Sequence, residues 1–95
     1  MSVFVCLVIV ELNLPHANSL KEKRSVIVRL LTRARNDLRV SAAEVGFQNR
    51  VRSATVAAAI VGSSRGQVEA TAARFIRKCE ADPRVEVYDS NIEWF

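Results

Sequence analysis

A chain of 95 residues, 49% hydrophobic and 25% charged, with only three glycines and two prolines, has the makeup of one soluble globular unit. Folding at that length buries roughly 60–65% of the surface the unfolded chain exposes, so neither a metal nor a disulfide is needed, and a linker-rich or disordered chain is excluded. The net charge of +4 is uneven: Ser19 to Arg39 holds Lys21, Lys23, Arg24, Arg29, Arg33, Arg35 and Arg39 against Glu22 and Asp37, while the remainder has seven basic and eight acidic residues. Such asymmetry points to an anionic partner.

Val3 to Leu12 is almost continuously apolar and β-branched, which predicts a central strand with both faces at least partly covered. Pro15 ends it within the turn Asn13 to Asn18. Ser19 followed three residues later by Glu22 is a capping box, and Leu20, Ile27, Leu30, Leu31, Ala34 and Leu38 recur at helical spacing, predicting a helix to about Leu38 or Arg39. Val40 to Phe47 and Arg52 to Val61, separated by Gln48-Asn49-Arg50, read as an antiparallel hairpin, the Ala57-Ala58-Ala59 run being strand because Thr55, Val56, Ile60 and Val61 flank it. Ser64 with Gln67 caps a second helix whose buried face is Val68, Ala72, Phe75, Ile76 and Cys79, and Pro83 ends it. The last strand runs from Val85 to about Trp94. Val85 and Val87 share one parity and Ile92 and Trp94 the other, so a bulge is expected near Asp89 to Asn91.

The order β-α-β-β-α-β predicts an α+β, ferredoxin-like split βαβ domain over residues 1–95: four antiparallel strands with two helices on one face. Strand one offers apolar residues of both parities, so the other face is expected to be covered by association, as a homodimer or against a protein partner. Val3, Val5, Leu7, Ile9 and Trp94 are the expected interface residues; a long loop or the terminal Trp94-Phe95 folding over the face is the alternative. Val3 to Val10 is too short to span a bilayer and lacks the flanks of a secretion signal, so a cytoplasmic location is expected. Cys6 and Cys79 fall at buried positions, where a reducing compartment leaves them free.

The string Ser19-Leu20-Lys21-Glu22-Lys23-Arg24, preceded by Glu11-Leu12-Asn13-Leu14-Pro15 and followed by Ser25-Val26-Ile27 and Val40-Ser41-Ala42-Ala43-Glu44-Val45, resembles the YlxP-like bacterial family, a family of unknown function whose members have about this length. The resemblance covers essentially the whole chain. It implies a ferredoxin-like fold and no established activity; genes of the family often lie beside those for translation initiation and ribosome maturation. The hairpin turn departs from the pattern, with Gln48-Asn49-Arg50-Val51 where family members often carry an acidic residue and a tryptophan.

Lys21, Lys23 and Arg24 stand where cations oppose the helix dipole, at about 0.3–1 kcal/mol each when exposed. A phosphate held by the first-turn N–H groups would offset this, as would pairing with Glu22, Glu11 or Glu44 while the aliphatic stems cover the core edge. Further along, Lys21, Arg24, Arg35 and Arg39 project along one flank of the apolar stripe, with Arg29 and Arg33 on the outer surface. A ridge of this kind suits the phosphate backbone of structured RNA, though charged helix faces are often simply solvated. The gene neighbourhood implied by the family resemblance makes ribosomal RNA or the ribosome the expected partner. Lys21, Lys23, Arg24, Arg35 and Arg39 are therefore the candidate nucleic-acid or anion-binding residues.

Other chemistries lack their residues. The first and third strands carry no set of stacking aromatics, so base recognition on the sheet is not expected. Leu14-Pro15-His16-Ala17 stands where a metal chaperone of this topology has Cys-x-x-Cys, and Gly62-Ser63-Ser64-Arg65-Gly66 lacks the phosphate-loop and dinucleotide patterns. No cofactor, metal ligand set or catalytic residue is assigned: His16 is the only histidine, with no nucleophile placed near it, and Glu11 and Glu44 suit ion pairing better than acid–base work.

Overall fold

The computed structural model describes residues 1–95. Strand β1 spans Phe4–Asn13, and its alternation decides the layering: Cys6, Val8, Val10 and Leu12 are fully buried, whereas Val5, Leu7, Ile9 and Glu11 are half-buried. Helix α1 (Leu20–Leu38) and helix α2 (Arg65–Ala81) cover the first set. Strands β2 (Ser41–Gly46), β3 (Ser53–Gly62) and β4 (Glu86–Trp94) complete one antiparallel sheet in the order β2-β3-β1-β4. The βαββαβ order and α+β, ferredoxin-like architecture are those expected.

Local chemistry sets the helix ends. Ser19 caps α1 by accepting the Glu22 N–H at 3.1 Å, and the Glu22 carboxylate reaches back to the N–H of Asn18 at 3.2 Å, one residue upstream of the usual capping-box partner. Arg39 closes α1 in the left-handed conformation, φ 54°, its N–H bonded to Arg35 O, as helix C-termini often end. Ser64 caps α2 through the Gln67 N–H at 3.4 Å. At its far end, Asp82 donates its N–H to Cys79 O, and its carboxylate takes a two-pronged grip on the Arg84 guanidinium at 2.9 and 3.0 Å.

These hydrogen bonds from Arg84 hold the Asp82 carboxyl below the usual carboxylate range. A depressed folded-state pKa adds stability above the unfolded value near 4, lost as pH falls through the lower folded value. Arg84→Gln is therefore expected to be less stable than wild type near neutrality, the gap narrowing below about pH 4. Urea midpoints of both proteins from pH 6 to pH 2.5 test this, and a gap independent of pH would contradict it.

Two bulges shape the sheet. Glu11 faces Asp89 while Leu12 faces Val87, so Tyr88 is the extra residue in β4. The parity switch thus exists, but it comes just before the expected Asp89 to Asn91. The shift lets Val87 before it and Ile92 and Trp94 after it pack against the helix side. The second bulge puts Val45 between Glu44, opposite Val56, and Gly46, opposite Thr55; a Cβ on Gly46 would meet Thr55 Oγ1 at 2.9 Å, so the close approach there favours glycine.

The face away from the helices is open. Val3 is 59% exposed and Val61 70%, with Ala43, Val45 and Ala59 also exposed beside half-buried Val5, Leu7 and Ile9. Trp94 does not share this face. It lies opposite Cys6 on the helix side, half-buried, with the Arg65 guanidinium 4.1 Å from its ring centroid, because the β4 bulge reverses its parity. Nor does the C-terminus cover the open side: Phe95 donates its N–H to Val5 O, but the residue is 76% exposed.

Candidate nucleic-acid interface

The first turn of α1 carries three cations, and the fold sends them to three different places. Lys21 is exposed. Arg24 is exposed and reaches Asn49 Oδ1 in the β2–β3 turn at 3.4 Å. Lys23 is fully buried, its ammonium 2.8 Å from the carbonyl of Phe47 and 2.6 Å from Glu44 Oε2. Glu44 faces the same way as Ala42, toward the core, and has no further hydrogen bond at Oε2. Of the carboxylates weighed as partners for this turn, Glu44 takes Lys23.

Lys23, expected among the anion-binding residues, is therefore not available to an anion at the surface. The spacing already placed it: Lys23, Ile27, Leu30 and Ala34 stand at i, i+4, i+7 and i+11, all buried on one stripe. A phosphate at the helix start also meets competition, because Ser19 Oγ satisfies the Glu22 N–H and the Glu22 carboxylate, bonded to the Asn18 N–H, puts negative charge beside the first turn.

What remains outside is a row of cations on the flank of α1 beside the edge strand β2. Lys21, Arg24 and Arg35 fall within one narrow arc of the helix, Arg39 follows as its left-handed cap, and all four are exposed. Arg35 donates to Ala42 O through Nε and Nη2 at 3.1 and 2.6 Å, which ties the helix to β2 and fixes this guanidinium. The tip of the hairpin continues the row: Arg50 lies with its guanidinium carbon 5.4 Å from the Phe47 ring centroid, and Arg52 anchors the hairpin base by donating to Ala17 O at 3.0 Å.

Four of the ten carboxylates lie elsewhere. Strand register places Glu11, Glu86, Asp89 and Glu93 on the open sheet face, where no Lys or Arg accompanies them. The open sheet face is thus acidic only, whereas the helical layer is mixed, its cations outnumbering exposed Glu22, Asp37, Glu69 and Glu80 on the same helices. Sequence reading missed part of the basic layer: exposed Arg74 and Arg77 and half-buried Lys78 of α2 face the Asp37–Leu38 end of α1 across a shallow groove of about 350 Å³. Their dispersal among apolar residues of α2 hides them from a reading keyed to charge runs.

The family described as "Protein of unknown function (DUF503)" matches residues 5–92. The chain belongs to this family. A relative bearing the words "Uncharacterized protein YlxP", from Bacillus subtilis (strain 168), is 39% identical over 79 residues, covering 83% of this chain and 86% of that protein. Among solved structures, "De novo designed protein Foldit4" superposes with a TM-score of 0.56, covering 95% of this chain and 96% of that one at 16% identity, a likeness of fold alone. For this DUF503 protein the Ser-Leu-Lys-Glu-Lys-Arg string now has distinct roles for its residues: cap, half-buried apolar anchor, surface cation, backbone acceptor, buried ammonium and hairpin contact.

The remaining cavities of the DUF503 domain offer little chemistry. A groove of about 400 Å³ is lined by Leu30, Arg33, Lys78, Ala81, Asp82, Pro83 and Arg84, but Lys78 is paired with Asp37 at 2.6 Å and Arg84 with Asp82, leaving Arg33 as its only cation without a carboxylate partner. A smaller one of about 110 Å³ brings exposed His16 near Glu22 and Arg84. Burial and the neighbouring Glu80 and Asp82 carboxylates push the Cys79 thiol up to about 12, and burial raises Cys6, so both stay protonated thiols near neutral pH. No group of three His, Cys, Asp or Glu residues is placed to hold a metal ion, and no helix is long and apolar enough to cross a membrane.

Proposed function

We propose that this protein is a non-catalytic cytoplasmic RNA-binding domain that grips the phosphate backbone of structured RNA, ribosomal RNA or the ribosome first among the candidates, through the flank of α1 beside β2. The observation that carries the reading is the exposed row Lys21, Arg24, Arg35 and Arg39, with the sheet-face carboxylates segregated to the other side. Such a surface attracts a polyanion in one orientation and releases counterions on contact, with no need for base readout. The open sheet lacks the aromatic platform that single-strand readers of this topology use, which favours structured RNA. Fluorescence anisotropy with labelled ribosomal RNA fragments over a salt series tests the reading. Binding that ignores both salt and charge reversal along this flank would end it.

A second reading rests on the open face. Val3, Val5, Leu7, Ile9 and Val61 form an apolar surface on one side of the sheet, and a second copy packed face to face would cover it. A two-fold axis parallel to the strands sets the acidic β4 side of one copy over β2 of the other, keeping like charges apart. Light scattering at micromolar concentration is expected to return twice the monomer mass, and Leu7→Glu to halve it. A monomer under conditions where the wild type is folded would rule this out.

A further inference from the structure

Phe47 is the residue of the hairpin that local packing does not account for. Its φ is 56°, in the left-handed region that side-chain-bearing residues seldom enter, and it is not a helix cap as Arg39 is. It is also 44% exposed and does not pack against the apolar core, as its neighbour Val51 in the same hairpin does. Several groups hold it in this state. Its carbonyl accepts from the N–H of Arg50 at 2.9 Å and from the buried ammonium of Lys23 at 2.8 Å. Gln48 Nε2 donates to Glu44 O at 3.2 Å, and Arg24 braces Asn49 from the helix. A fully buried lysine is rare in a domain of this size, and this one directs its charge at a turn carbonyl and the strand leading into that turn.

A ring displayed in a braced, uncommon conformation is a preorganised contact. We propose that Phe47 and Arg50 form a stacking platform for an unpaired base, a bulged or loop nucleotide flanking a double-helical stretch of RNA. This rests on the reading of α1 as the backbone-binding flank. Aromatic rings and guanidinium planes are the surfaces on which extruded bases stack, and such stacking tolerates any base because each has a π face. Arg50 lies 5.4 Å from the Phe47 ring centroid, and Arg24 contacts the same turn, so a base at the tip has cations close by for its flanking phosphates. The platform sits at the end of the hairpin, not on the sheet surface where RNA-recognition domains of this topology stack bases, which is why the aromatic-poor strands do not argue against it.

The test uses two labelled RNA hairpins of equal length, one fully paired and one with a single bulged nucleotide, measured by anisotropy against wild type, Phe47→Ala and Phe47→Tyr. Wild type is expected to prefer the bulged RNA by about fivefold or more, the effect of one base stacked on an aromatic side chain. Phe47→Ala should bring the bulged RNA to the level of the paired one with the salt slope unchanged, and Phe47→Tyr should keep the preference. A urea midpoint for each variant confirms that the fold is retained. Equal affinity of wild type for both RNAs, or a preference that survives Phe47→Ala, overturns the platform while leaving the backbone-binding flank in place. No salt-dependent binding to either RNA overturns both.

Discussion

Lys23→Met is expected to lower the free energy of unfolding by about 3 kcal/mol, the lower part of the range for removing one partner of a buried ion pair. The ammonium is fully buried, and it serves Glu44 Oε2 and the Phe47 carbonyl at once. Removing it leaves a largely buried carboxylate without a counter-charge and a turn carbonyl with only the Arg50 N–H. The lower part of the range applies because the Glu44 side chain retains 15% exposure and can recover some hydration. The loss is a large share of the roughly 5–15 kcal/mol by which domains of this size are stable. A second change separates charge from packing: Lys23→Met with Glu44→Leu should regain at least half of the loss, because an apolar pair of similar volume has no charge to desolvate. Urea midpoints at unchanged m-value measure both. A single variant within about 0.5 kcal/mol of wild type would show that the pair contributes nothing to stability.

Charge reversal on the flank of α1 has the second large effect. With Lys21, Arg24 and Arg39 all changed to Glu, the log–log salt slope of ribosomal RNA binding is expected to fall by roughly one for each phosphate no longer neutralised, and affinity to drop at every salt concentration. Arg35 is left in place because it also holds Ala42 O, so its loss would mix binding with folding. The three altered residues are exposed, but Arg24 also contacts Asn49 and Arg39 caps the helix. A urea midpoint of the triple variant therefore accompanies the binding data, and weaker binding at an unchanged midpoint reports the interface. The matched comparison is Arg74→Glu with Arg77→Glu on α2. If that pair abolishes binding while the α1 triple variant binds as wild type does, the RNA lies along the groove between α2 and the Asp37–Leu38 end of α1, and the α1-flank assignment fails.

These two expectations concern residues that stand side by side in one string, and their separation shows what a linear reading can reach. The elements themselves were legible: helical spacing in Leu20 to Leu38, the Ser19 and Ser64 caps, and strand-forming runs bounded by turn residues are local properties that few distant contacts override. The position of Lys23 on the apolar stripe was equally local, since Ile27, Leu30 and Ala34 mark that stripe. Its positive charge led to a surface assignment, because an ammonium inside a core needs partners that local spacing cannot name. Those partners are Glu44 and the Phe47 carbonyl, on a strand and a turn that reach the helix only through the hairpin.

The same division runs through the rest of the chain. Two parities in the last strand showed that a bulge had to exist, but its place at Tyr88, and with it the helix-side position of Trp94, depended on pairing with Glu11 and Leu12 of β1. Periodicity and capping are set by neighbours within a few residues, so composition and spacing suffice to place helices, strands and the cationic flank. Which charge is buried, which ring is displayed and which face stays open depend on interactions between residues far apart in the chain, and those are settled when the hairpin closes against α1 and β4 pairs with β1.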